Sequence, residues 1–120
     1  MKKILPIFFG GIIAIIIVLS ACEKVVFQPP DIPVPDSISY SLEIQPIWDD
    51  KCVSCHGGQR DPDLSPGVSH AALMDGGYIN TSDPAASNLM TKLYGSHNSR
   101  ATLSEKVLIQ EWITKGAKDN

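Results

Sequence analysis

Lys2 and Lys3 precede a long apolar run, Ile4 to Ala21, interrupted only by Pro6, Gly10 and Gly11. Beyond it, apolar positions recur at helical spacing. Ile44, Ile47 and Trp48, continued by Cys52, share one helical face. Ser41 could cap this helix, and Pro46 is tolerable there only within its first turn. Ser69 to Met74 predicts a short helix stopped by Gly76-Gly77. Asp83-Pro84 is a strong helix start, followed by an apolar side of Ala86, Leu89, Leu93 and Met90 that ends near Gly95. The last stripe is Leu108, Ile109, Trp112 and Ile113; Thr102-x-x-Glu105 before it fits a capping box, and Gly116 stands where a helix stop is expected. Between these segments lie proline-bearing connections, with no strand pattern and no internal repeat. The pattern predicts an all-α domain with long connections.

The chain divides into three parts. Residues 1–21 read as an export signal, with a charged start and an apolar centre. The apolar run is near the minimum for a spanning helix, so an uncleaved anchor is the competing reading. Leu19-Ser20-Ala21-Cys22 resembles the lipobox of bacterial lipoproteins. That resemblance implies cleavage before Cys22, lipid on its sulfur and amine, and a membrane-tethered protein outside the cytoplasmic membrane, in the periplasm or cell envelope. Residues 22–38 carry Pro29, Pro30, Pro33 and Pro35 and read as an extended tether. Residues 39–120 are left as the folded domain, near the size at which one core is marginal.

Charge narrows the partners. The formal charge of the whole chain is −3, and loss of Lys2 and Lys3 with the leader makes it −5. That sign disfavours nucleic acid and suits partner proteins with a basic docking face.

The chemistry concentrates in Cys52-Val53-Ser54-Cys55-His56. Cys-x-x-Cys-His is the attachment pattern of haem c: two thiols add to the vinyl groups, and the next imidazole reaches the iron. Two other readings compete. A thioredoxin-like pair belongs near a βαβ pattern, which is absent here. Zinc would need about four ligands, and adjacent Cys55 and His56 are awkward on one tetrahedral ion. Gly57-Gly58 would turn the chain away beneath the cofactor, and a carbonyl from the loop Gln59 to Gly67 would accept the proximal imidazole proton.

Several stretches together carry a wider resemblance. They are Tyr-Ser-Leu-Glu-Ile-Gln-Pro-Ile-Trp from Tyr40, Cys-Val-Ser-Cys-His-Gly-Gly from Cys52, Gly-Gly-Tyr-Ile-Asn-Thr from Gly76, Asp-Pro-Ala-Ala-Ser-Asn-Leu from Asp83 and Glu-Trp-Ile-Thr-Lys-Gly-Ala-Lys from Glu111. In these the chain resembles small monohaem c-type cytochrome lipoproteins of the Bacteroidetes type. The resemblance implies a cytochrome c-like fold around one covalent haem. It also implies a crossing of first and last helices that brings Ile44, Ile47 and Trp48 near Leu108, Trp112 and Ile113. Many relatives supply a methionine as second iron ligand from the connection before the last helix. Here that connection holds His97 and no methionine. His97 is therefore expected opposite His56, with Met74, Met90 and His70 as the alternatives. Trp48, Trp112, Tyr78 and Tyr94 are expected to wall the haem.

Cys52, Cys55, His56 and His97 thus form the expected haem site, with His56 and His97 on the iron. No acid–base pair, nucleophile system or phosphate loop is visible, so electron transfer rather than enzymatic catalysis is expected. The alternatives are an accessory haem subunit of a larger oxidoreductase, or a small peroxidase or gas-binding protein with open iron.

Overall fold

The computed structural model describes residues 32–120. The expected leader at 1–21, the lipid position Cys22 and the start of the tether lie outside the described residues. Within them there are five α-helices, one π-helical turn and one 3₁₀ turn, with no strand. The described domain is all-α.

The first helical segment starts two residues earlier than expected. Ser39, not Ser41, is the cap: its hydroxyl accepts from the Leu42 N–H at 3.3 Å, while Glu43 Oε2 accepts from the Ser39 N–H at 2.7 Å. A π-helical turn, Tyr40–Ile44, leads into α1, Gln45–Lys51. Pro46 takes the second position of α1, within its first turn as expected, although the π-helical turn runs on ahead of it. The wider turn accommodates the proline, because the Gln45 N–H bonds back to the Tyr40 carbonyl just where Pro46 has no N–H to offer. Ser41 instead ties down the C-terminus, its hydroxyl donating to the Asn120 carbonyl at 2.9 Å.

α1 breaks at Cys52, whose backbone leaves helical geometry, and α2 follows as the single turn Val53–His56. α3 is Ser69–Asp75 and stops at Gly76 as expected. The helix expected from Asp83-Pro84 is split in two. Asp83 caps only a 3₁₀ turn, Pro84–Ala86; the backbone is extended at Ser87, and α4 runs Asn88–Tyr94. Ser87 is fully buried, and its hydroxyl accepts from the Asn80 N–H at 2.9 Å. That anchor holds Ser87 out of helical geometry and leaves Ala86 exposed rather than on the apolar side.

α5, Leu103–Thr114, carries the complete capping box of Thr102 and Glu105. It runs antiparallel to α1. Tyr40 meets Trp112 at one end, with ring centroids 5.1 Å apart, and Lys51 meets Glu105 at the other, 2.6 Å apart. Ile44, Ile47 and Trp48 share one core with Ile109, Trp112 and Ile113, each buried. Burying a side chain of that size is worth roughly 2–3 kcal/mol, so this seam is a main source of cohesion. Leu108 is only half-buried beside it. Ile38 is buried and Val34 packs on the same core, so packing begins inside the stretch assigned to the tether.

Candidate functional site

The helical rod α1–α2 and the loop after it form one wall of a cavity of about 430 Å³. α4 and the turn that follows it form the opposite wall. Its lining is largely apolar, through Trp48, Leu64, Leu89 and Leu93, and polar where His56 and His97 enter. That volume lies within the roughly 300–1,000 Å³ common for cofactor-sized sites.

His56 is held at both ends by the loop after α2. Its carbonyl accepts from the Leu64 N–H at 2.7 Å, and its Nδ1 lies 3.1 Å from the Pro62 carbonyl. A carbonyl can only accept, so Nδ1 carries a proton, and the neutral tautomer this contact selects has its lone pair on Nε2. Pro62 is thus the loop carbonyl that the residue pattern could not single out. Gly57 permits the sharp exit from α2: a Cβ there would sit 2.8 Å from the Val53 carbonyl oxygen. A buried polar chain anchors the far end of the loop. The Tyr40 hydroxyl donates to Ser69 Oγ at 2.7 Å, Ser69 donates to Gln45 Oε1, and Gln45 Nε2 donates to the Leu64 carbonyl at 3.1 Å. Trp48 beside it keeps an indole N–H that is buried with no partner at hydrogen-bond geometry among the described residues.

His97 arrives from the turn between α4 and α5. Its backbone N–H donates to the Lys92 carbonyl at 2.9 Å, and its Nδ1 contacts Ser96 Oγ at 3.0 Å. The His56 and His97 ring centroids are 6.3 Å apart with planes inclined at 53°. Two nitrogen–metal bonds of about 2 Å each, plus the offset of each ring nitrogen from its centroid, would separate two rings on one ion by about 6 Å. The observed centroid separation is compatible with two rings sharing one ion.

Cys52 is half-buried on the cavity wall and Cys55 is exposed at its edge. Burial pushes the Cys52 thiol above its usual range, against the opposing pull of the Arg100 guanidinium. Both thiols therefore flank the space that the two imidazoles face.

The alternative ligands lie elsewhere. Met90 is completely buried in the core, and Met74 is partly exposed on α3; neither lines the cavity. His70, expected to be solvated, is packed against Tyr40 and Trp112, with Nε2 2.7 Å from the Ala117 carbonyl. Of the four aromatics expected around a cofactor, Trp48 and Tyr78 line the cavity. Trp112 packs on Tyr40, and Tyr94 is half-exposed beneath Lys106, so those two serve the core and the surface instead.

One positioning residue escaped the residue pattern. Lys106 is buried, with Nζ donating to the Asn98 carbonyl at 2.8 Å and lying 5.1 Å from the Tyr94 ring centre. The signal was there: Lys106 occupies the stripe position three residues before Ile109.

Among the described residues, no three His, Cys, Asp or Glu side chains converge as a metal-binding group. A metal between the two imidazoles would have two protein nitrogens and would take its remaining donors from outside that pair. The chain matches no protein-family model, no curated protein and no solved structure.

Proposed function

We propose that this domain is a cytochrome c-like electron carrier. It would hold one haem c by thioether links to Cys52 and Cys55, with His56 and His97 on its iron. The observation that carries the reading is the 6.3 Å separation of the two imidazoles across an apolar cavity, beside both thiols of the Cys-x-x-Cys-His segment. A porphyrin brings four in-plane donors, so two protein nitrogens complete six-coordination, whereas a bare zinc ion would ask about four of the protein.

When bound, haem supplies a reversible one-electron couple. The chain's own residues set its surroundings. Pro62 fixes the His56 tautomer and makes the ring a stronger donor. Imidazoles on both faces lower the potential relative to a thioether ligand, while Trp48, Leu64, Leu89 and Leu93 exclude water and raise it. If His56 and His97 both hold the iron, no coordination position would be left open to oxygen or peroxide, which favours electron transfer over catalysis. Membrane attachment through lipid on Cys22 remains part of the same reading and would confine the carrier to an envelope surface.

Intact-mass spectrometry of protein matured in a host competent for cytochrome c assembly tests it. The expected mass exceeds the polypeptide by one haem, and Cys52→Ala with Cys55→Ala abolishes the increment. A native protein whose mass equals that of the polypeptide alone overturns the reading.

A further inference from the structure

Net charge points to a basic partner; the distribution of charge at the cavity points the other way. Between residues 32 and 120 there are seven Lys or Arg and eleven Asp or Glu. Four of those seven cations, Lys51, Arg60, Lys92 and Arg100, line the cavity or the cleft that opens beside Cys52 and Cys55. Of the eleven acids, only Asp61 does. Lys51 is occupied by Glu105 at 2.6 Å, whereas Arg60, Lys92 and Arg100 have no carboxylate within ion-pair distance among the described residues. All three are exposed, as is Cys55, which shares a cleft with Arg60 and Arg100. That cleft, of about 80 Å³, joins Cys55, Arg60 and Arg100 to both imidazoles.

A docking protein responds to the field at its point of contact. Charges more than about 8–10 Å away are largely screened at physiological salt, so a local basic rim outweighs a diffuse negative surplus. We propose that the rim formed by Arg60, Lys92 and Arg100 is a docking face for an acidic patch on a partner redox protein, which it steers to the site. This inference rests on the electron-carrier reading, since the rim matters only if electrons leave beside it.

Small redox reagents of opposite charge test the sign of the field at the exit. One electron leaves the reduced haem-bearing protein and converts trianionic ferricyanide to ferrocyanide, with no bond made and no proton moved. The expected rate falls about tenfold as ionic strength rises towards 0.5 M, as for an attracted pair. A tricationic cobalt(III) phenanthroline oxidant should show the opposite slope. Arg60→Glu with Arg100→Glu should reverse both slopes. Lys115→Glu with Lys118→Glu changes net charge equally, but both residues line a different cleft, with Trp112 and Ile38, and the slopes should persist. Polyglutamate should slow the ferricyanide reaction, and polylysine should not.

A ferricyanide rate that climbs with salt in the native protein overturns the docking face; it would also be the result if the cofactor's own carboxylates neutralised the arginines. Equal effects from the two double variants overturn it as well, because net charge would then govern. A preparation without covalent haem overturns the carrier reading itself, and is recognised beforehand by its missing Soret band.

Discussion

Lys106 Nζ sits 2.8 Å from the Asn98 carbonyl, one residue beyond His97. The buried ammonium of α5 thereby clamps the turn that delivers His97 to the cavity. Replacing it with methionine keeps the stem and removes the clamp. Amide exchange at residues 97 to 100 should quicken at least about tenfold in Lys106→Met, which loses the bonds to both the carbonyl and the Oδ1 of Asn98; one such bond is worth about 1–1.5 kcal/mol. Unchanged exchange would mean that the turn is held by its backbone bonds alone.

Removing His97 should matter at the site, and removing His70 should not. If His97 holds the iron, His97→Ala would free one coordination position in the haem-bearing protein, so the reduced form should bind carbon monoxide rapidly and the low-spin signal should fall. His70→Ala should leave the spectrum intact and cost about 1 kcal/mol, because it loses the Ala117 hydrogen bond and packing on Tyr40 and Trp112. Low-temperature electron paramagnetic resonance separates the two outcomes. A native spectrum in His97→Ala would move the second ligand elsewhere.

Before any cofactor is attached, the two thiols should differ in reactivity. Cys55 is exposed, whereas Cys52 is half-buried with its pKa raised by burial. A raised pKa leaves less thiolate at a given pH, so iodoacetamide should label Cys55 first near pH 8. Labelling of Cys52 should accelerate only above the usual thiol range. Peptide mass mapping across pH reads both, and equal rates would contradict the burial difference.

Glu105 joins the ends of α1 and α5, and its contribution should depend on pH. Burial alone would raise its carboxyl pKa, but bonds from Lys51 and Thr102 outweigh it and hold the folded value below the usual range. A depressed folded pKa stabilises the fold above the unfolded value, about 4.3, and that gain disappears as pH falls through the folded value. Glu105→Gln should therefore cost about 0.5–1 kcal/mol near neutrality, as a part-exposed ion pair does. The difference from the native protein should shrink below about pH 4. Chemical denaturation at several pH values measures it, and a gap that widened in acid would reverse the sign.

Local signals were legible where one turn of chain contains the whole interaction. Thr102 and Glu105 lie within hydrogen-bond reach once a helix starts, so their capping box was readable from spacing. The stripes of α1 and α5 were readable because burial at helical period is a property of each segment. The start at Ser39, the wide turn before Pro46 and the break at Ser87 were not. Each depends on a partner or strain outside the local pattern: Glu43 across a non-standard turn, the missing proline N–H, and Asn80 on another segment.

By itself the chain determined the Cys-x-x-Cys-His segment, the helical periodicity and the net charge, because these are written in neighbouring residues. Only the tertiary structure decided that His97 stands 6.3 Å from His56, that Pro62 accepts from its ring, and that the scarce cations gather at the cavity mouth. The physical reason is distance along the chain. Covalent spacing constrains what lies within a turn or two, while groups far apart in sequence meet only when packing of α1 against α5 closes the loops between them.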